Sequence, residues 1–130
     1  MIRIYKAHIN EQTKEIQTIK EHAVGTAQLA QSYGIPALSG MLYQMGILHD
    51  CGKYQSSWQR RIDGENIQVE HSICGAKEAW NLYDKNLLAY LMAYCIAGHH
   101  GGLPDGGSIL DNSGTVTLNG RLHKENEDYS

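Results

Sequence analysis

The sequence predicts an all-α domain whose helices and core come from the first hundred residues. Apolar side chains in that part of the chain recur at steps of three and four, which is the period of a helix with one buried face. The last thirty residues hold seven apolar or aromatic side chains, and half of the 14 glycines fall at or after Gly98. A chain of 130 residues is long enough for one such domain with its own core.

Two helices are predicted before residue 52. The first covers residues 16–33, and Gly34 is placed to end it. The second covers residues 36–50, because Pro36 suits the first position of a helix and an apolar stripe follows it. The pair Cys51-Gly52 ends this second helix.

The polar stretch 53–70 is interpreted as a connector. It contains a short helical segment at 56–62 and a turn at Asp63-Gly64. Neither the period nor the composition of this stretch indicates a strand.

Two further helices complete the predicted bundle. The third covers residues 71–83 and buries a mixture of small and apolar side chains. Asp84 is the candidate cap of the fourth, whose apolar residues from Leu87 to Ile96 lead to His99. Glycines and a proline at 101–104 end that helix.

The C-terminal segment is predicted to be separate from the bundle. We divide the chain into a helical domain at 1–105 and a tail rich in glycine and asparagine at 106–130. Residues 115–118 and 121–123 flank Asn-Gly, which is the pattern of a two-residue hairpin. A disordered tail is the alternative, because an isolated hairpin is marginally stable.

Charge, cysteines and hydropathy exclude several classes of protein. Eleven Lys and Arg against 14 Asp and Glu give a net charge of -3, so phosphate chemistry would need metal ions to supply positive charge. Cys51, Cys74 and Cys95 form no Cys-x-x-Cys pair and are predicted to be reduced and mostly buried. The sequence shows neither an apolar run of about 18 residues nor a secretion signal, so we expect a cytoplasmic protein without a membrane partner.

Histidines are concentrated on the buried stripes of these helices. Five of the seven lie on or beside them: His22, His49, His71, His99 and His100. A single such histidine is more often a hydrogen-bonded core residue, but imidazoles converging from several helices build metal sites in bundles. Neighbouring residues on a helix diverge by about 100°, so adjacent ligands can serve one site only at helix ends. The pairs at 49–50 and 99–100 both fall at predicted ends.

Asp50 is the predicted centre of this group. A carboxylate between two sets of histidines can bridge two cations, with one oxygen on each. As an ordinary residue in the last turn of a helix, Asp50 would oppose the macrodipole, which is unfavourable without a cation nearby. Lys53 follows it, and a lysine there is favourable on helix electrostatics alone. We also consider Lys53 the candidate that stabilises charge on a phosphate.

The sequence around Asp50 resembles the His-Asp signature of the HD metal-dependent phosphohydrolase superfamily, in the run Leu-His-Asp-Cys-Gly-Lys at 48–53. Two other motifs, His-Ser-Ile-Cys-Gly-Ala at 71–76 and His-His-Gly-Gly-Leu-Pro at 99–104, are similar to those of the HD nuclease domain of type I CRISPR systems. The resemblance runs in the same order over residues 5–105.

This resemblance implies an HD-domain helical bundle around a metal centre and a nuclease that cuts single-stranded DNA in antiviral defence. It implies up to two divalent transition metal ions per chain, drawn from Mn, Fe, Co, Ni or Zn. One ion would be held by His22, His49 and Asp50, and the other by Asp50, His71, His99 and His100. The implied partners are a CRISPR helicase, in cis or in trans, and the guide-RNA surveillance complex.

Further residues are candidates for contacts with the nucleic acid. Gly101 and Gly102 would let a nucleic-acid backbone approach closely. Arg60 and Arg61 could neutralise phosphates while Trp58 stacks on a base, although a tryptophan covering the core beside solvated arginines is the simpler interpretation.

Two other functions remain open. One is a nucleotide or cyclic-dinucleotide phosphohydrolase of the same superfamily. The other is a catalytically inactive module, because the chain ends before the distal metal-binding Asp of the family it resembles. Asp105 and Asp111 are the nearest carboxylates, and neither occupies the matching place. A fragment, a truncated product or half of a split domain would each account for this.

Overall fold

The computed structural model describes residues 3–100, 102–103, 105–107, 117–123, 125–126 and 129 of the chain. Helices dominate these residues, which confirms the all-α class. The elements are β1 (Lys6–Ile9), β2 (Ile16–Thr18), α1 (Ile19–Tyr33), a 3₁₀ turn (Pro36–Leu38), α2 (Ser39–Leu48), a second 3₁₀ turn (Cys51–Tyr54), α3 (Ser56–Ile62), α4 (Ser72–Leu82), α5 (Leu87–Ala97) and α6 (Leu118–Leu122). Within the described ranges, every helix is too short or too polar to cross a bilayer.

The N-terminus forms a two-stranded antiparallel sheet that the sequence did not predict. Ile16, assigned above to the first helix, belongs instead to β2 and pairs with β1. The side-chain amide of Gln59 holds the other edge of β1, because it accepts from the Lys6 N–H at 2.9 Å and donates to the Lys6 carbonyl at 3.0 Å. These strands are stabilised by a contact 53 residues away, which local periodicity does not reveal.

Helix α1 therefore begins at residue 19, where a capping box defines its start. Thr18 Oγ1 accepts from the Glu21 N–H at 3.2 Å, and the Glu21 carboxylate accepts the Thr18 N–H at 2.9 Å. The helix ends at Gly34, as predicted.

The turn between α4 and α5 corrects the predicted cap of the fourth helix. Asp84 and Lys85 both adopt left-handed conformations, with φ of 59° and 52°. Asn86 caps α5 instead, since its side chain accepts from the Ala89 N–H at 2.9 Å.

The hydrophobic core lies between α4 and α5 and includes a residue of the tail. Its buried members are Ile73, Ala76, Ala79, Met92, Ala93, Ile96, Ala97 and Leu118. Leu118 is fully buried, so the prediction that the first hundred residues supply the whole core is wrong for this residue. The described part of the tail packs on the helical domain.

The tail also forms a helix where a hairpin was predicted. Residues 115 and 116 lie outside the described residues, but 118–122 form α6. Thr117 Oγ1 accepts from the Gly120 N–H at 3.2 Å, and burial of Leu118 anchors the helix. This cap and this burial outweigh the turn preference of Asn119-Gly120.

The three cysteines are free. Cys74 is buried and Cys51 half-buried, as predicted, whereas Cys95 is exposed on α5. Burial raises the pKa of the Cys51 and Cys74 thiols to about 12, so both stay protonated at neutral pH.

Two glycines allow α4 to approach the end of α2. A Cβ on Gly75 would stand 2.2 Å from the Leu48 carbonyl oxygen, and a Cβ on Gly52 would stand 2.1 Å from the His71 carbonyl oxygen. Both distances are too short for a side chain. Only glycine at these positions lets the segments that carry His49 and His71 lie against each other.

We expect Gly75→Ala to lower the free energy of unfolding by about 1–3 kcal/mol, because the methyl group must displace the backbone at Leu48. Gly25→Ala in α1 is the matched control, since nothing lies within 4 Å of its Cβ position. The control should stabilise by about 0.5–1 kcal/mol through helix propensity. Urea unfolding followed by circular dichroism measures both, and equal effects would contradict the close packing.

Candidate metal centre

The carboxylate of Asp50 lies at the meeting point of five imidazoles. Its side chain is 3% exposed. Oxygen Oδ2 is 3.0 Å from His22 Nε2 and 3.1 Å from His49 Nε2. Oxygen Oδ1 is 3.1 Å from Nε2 of His71 and of His99, and 3.8 Å from His100 Nε2. The five rings therefore divide into two groups, one facing each oxygen.

The five imidazoles come from residues on or next to four helices. His22 lies within α1, His49 caps the C-terminus of α2, and His71 caps the N-terminus of α4. His99 and His100 follow the end of α5. The prediction that both adjacent pairs sit at helix ends is confirmed, and there the backbone leaves its helical path and lets neighbours face one point.

Backbone carbonyls orient two of these rings. Nδ1–H of His49 donates to the Gly46 carbonyl at 2.6 Å, and Nδ1–H of His99 donates to the Ile96 carbonyl at 2.5 Å. A carbonyl can only accept, so Nδ1 carries the hydrogen in both rings, and Nε2 of the neutral form is the nitrogen that is free to bind a metal. This is the arrangement of a histidine that binds metal through Nε2 with a backbone partner behind it.

His71 Nε2 is a buried polar atom without a hydrogen bond in the part of the chain described. It stands 3.1 Å from Asp50 Oδ1 but outside hydrogen-bonding geometry. Leaving a buried nitrogen unsatisfied costs about 1–3 kcal/mol. A cation between the two atoms would satisfy both, so the residues present fit a metal ion.

The protonation states of these side chains also favour metal binding. Burial alone would raise the pKa of Asp50, but close contacts with His49, His71 and His99 outweigh it and hold the pKa far below its usual range. Burial lowers the pKa of His22 and of His100, so both rings are neutral at pH 7. An ionised carboxylate and neutral imidazoles are the forms that bind metals.

The pKa of His99 shifts in the opposite direction to those of His22 and His100. Burial lowers its pKa, but the contact with Asp50 and the bond to the Ile96 carbonyl outweigh burial and raise the pKa above the ordinary value. Without a metal ion, the His99 ring beside Asp50 Oδ1 is therefore protonated more readily than an isolated imidazole.

Two sets of ligand atoms are close enough to hold an ion. Within each set, all ligand atoms lie within 4.8 Å of one another. One set is His22, His49 and Asp50, and the other is Asp50, His71, His99 and His100. Imidazole and carboxylate ligands suit divalent transition metals.

Lys53 is buried beside this carboxylate. Its side chain is 2% exposed, and Nζ lies 3.1 Å from Asp50 Oδ2 and 3.5 Å from the Ala7 carbonyl. Helix electrostatics alone therefore does not account for Lys53. The ammonium points at the carboxylate, where it balances the negative charge of Asp50 and orients the side chain.

The other predicted contact residues lie further out. The Arg60 guanidinium is 3.8 Å from Glu65, and the Arg61 guanidinium lies 5.5 Å from the centre of the Trp58 ring. That ring also contacts Lys53 and packs 4.6 Å from the His71 ring, so Trp58 is part of the wall of the centre. Gly102 is exposed with a left-handed φ of 85°, whereas Gly101 lies outside the described residues.

His8 is a neighbour of the centre that belongs to neither described ligand set. Its ring lies 4.7 Å from the His22 ring, measured between ring centres. It belongs to β1, whose existence carried no signal in the helical periodicity. Of the two acidic candidates for a further ligand, Asp105 is absent from both described ligand sets, and Asp111 lies outside the described residues.

Comparison with known families finds one match. The family model of the HD domain matches residues 19–125, a span that contains every ligand of both sets as well as α6. No curated protein matches the chain.

We expect Asp50→Asn to lower the free energy of unfolding in EDTA by about 3 kcal/mol, because it leaves the buried Lys53 ammonium without its counter-charge. The double variant Asp50→Asn/Lys53→Met removes both charges and should recover part of that loss. Urea unfolding at pH 7 measures the three proteins. A double variant no more stable than Asp50→Asn would contradict the pairing.

Proposed function

The chain belongs to the HD domain family, whose members are typically metal-dependent phosphohydrolases, and we propose that it is a metal-dependent nuclease acting on single-stranded DNA. The observation that carries the hydrolase chemistry is the Asp50 carboxylate, which divides the imidazoles into two ligand sets. A carboxylate shared in this way is suited to hold two cations side by side.

Each residue of the centre has a distinct part in the proposal. His22 and His49 hold one divalent transition ion with Asp50, and His71, His99 and His100 hold the second with the same carboxylate. When bound, such ions activate a water and neutralise charge on the attacked phosphate. Lys53, through its contact with Oδ2, is a positioning residue that keeps Asp50 ionised and correctly oriented.

The exposure of the rings indicates the side from which a phosphate enters. The His100 side chain is 56% exposed, whereas His71 is 10% exposed and is covered by Trp58. A phosphodiester therefore approaches past His100. Gly102 lies next to this opening in sequence and has no side chain to obstruct a nucleic-acid backbone.

The nuclease assignment rests on the motifs at 71–76 and 99–104, which are similar to those of the CRISPR nuclease domain. In that proposal the substrate is a displaced single strand, and a helicase with a guide-RNA surveillance complex supplies it. The net charge of -3 fits a protein whose positive charge toward DNA comes from bound ions and whose duplex handling is left to a partner.

We expect the protein to degrade single-stranded DNA with Mn²⁺, Co²⁺, Ni²⁺ or Fe²⁺, and Asp50→Asn to reduce cleavage to the level seen in EDTA. Asp63→Asn is the matched control, because this carboxylate is exposed and pairs with Lys6. Since Asp50→Asn is also expected to be less stable, His100→Gln, on the most exposed ring, is the second loss-of-function variant. A gel assay with labelled oligonucleotides measures cleavage.

The same assay separates the alternatives. Turnover of mononucleotides or cyclic dinucleotides in place of DNA would support the phosphohydrolase alternative. Metal binding without any turnover would support an inactive module. Equal cleavage by the wild-type protein and both loss-of-function variants would show that the activity comes from elsewhere.

A further inference from the structure

Arg121 on α6 contacts two segments of the bundle at once. Its Nε–H donates to Glu70 Oε1 at 2.9 Å, and its Nη2 contacts the same oxygen. The Nη2 group also donates to Ser72 Oγ at 3.3 Å and to the Ala97 carbonyl at 3.4 Å. The side chain is 15% exposed, so these contacts are shielded from water.

These partners flank the ligands of one metal set. Glu70 and Ser72 are the residues on either side of His71, and Ala97 is the last residue of α5, two positions before His99. One guanidinium thus joins the start of α4 to the end of α5. Its charge is also favourable at the C-terminal carbonyls of α5.

The backbone of α6 holds the chain on the far side of the His99-His100 pair. The Leu118 N–H donates to the Asp105 carbonyl at 2.7 Å, and the Asn119 N–H donates to the Gly106 carbonyl at 3.0 Å. Burial of Leu118 in the core fixes α6 itself. The segment from Ala97 to Gly106 is therefore attached to α6 at both ends.

We propose that Arg121 is a positioning residue that sets His71 against the His99-His100 pair, so that the three rings face Asp50 Oδ1 together. The inference rests on the proposed metal centre. Ligand geometry must be held within about 0.5 Å for a metal site to work, and the planar fork of arginine reaches several acceptors at once. His22 and His49 belong to α1 and α2, away from these contacts, so their set should depend on Arg121 only through the shared Asp50 carboxylate.

The test compares Arg121→Gln with Arg3→Gln, an exposed arginine whose guanidinium lies over the Tyr5 ring. Zn²⁺ is titrated into each protein while nitrogen-15 spectra follow the imidazole resonances. We expect Arg121→Gln to weaken uptake at His71, His99 and His100 by about tenfold, the lower end of the range for residues behind metal ligands. Uptake at His22 and His49 should weaken by a smaller factor, because Arg121 acts on that set only through the shared Asp50 carboxylate. Arg3→Gln should match wild type.

Hydrogen exchange of the metal-free proteins gives a readout that needs no ion. The amides of residues 98–100 and 71–73 should exchange faster in Arg121→Gln than in wild type, while those of α1 should be unchanged. If Arg121→Gln does not fold, Arg121→Lys takes its place, since it keeps the charge toward Glu70 but loses the fork to Ala97, and the same selective pattern is expected.

Equal weakening of both ligand sets, or no weakening of either, would overturn the positioning role. So would unchanged exchange in the metal-free protein. A wild-type protein that takes up no metal would instead refute the proposed function, and the exchange data would still decide what Arg121 does to the ligand segments.

Discussion

The structure depends on one buried carboxylate that five imidazoles surround. Asp50 has five imidazole nitrogens around its two oxygens, and because the Gly46 carbonyl takes the Nδ1–H of His49, the neutral His49 ring turns a lone pair toward the carboxylate. Lone pairs directed at a carboxylate repel it, and burial increases that cost. The Lys53 ammonium, 3.1 Å from Oδ2, offsets part of that cost. A cation between each oxygen and its imidazoles would convert the whole arrangement from unfavourable to favourable.

The rest of the fold holds these groups together. Helices α1, α2, α4 and α5 each bring one or more ligands, and five of the six ligands lie at three helix ends, where the chain can change direction. Gly52 and Gly75 remove the side chains that would keep α4 away from α2. The helix α6 then ties the two ends that carry His71 and His99. Packing between these helices thus holds the ligands around the carboxylate.

Much of this follows from the sequence, and what does not has a physical reason. The four long helices and the short helix at 56–62 were predictable because each has an apolar period, a cap or a terminal glycine. The strands β1 and β2 were missed because the Gln59 amide, distant in sequence, completes them. Helix α6 was mistaken for a hairpin because burial of Leu118 outweighs the turn preference of Asn119-Gly120. Burial of Lys53 was missed because only tertiary contacts bring Ala7 and Trp58 over it.

The central claim is that Asp50 is shared between two metal ions. Anomalous diffraction from crystals grown with Mn²⁺, recorded on both sides of the manganese edge, tests it most directly. The expected result is two peaks, one beside Oδ2 with His22 and His49, and one beside Oδ1 with His71, His99 and His100. A map without a peak at Asp50, or with every peak outside these two sets of ligands, would contradict the claim.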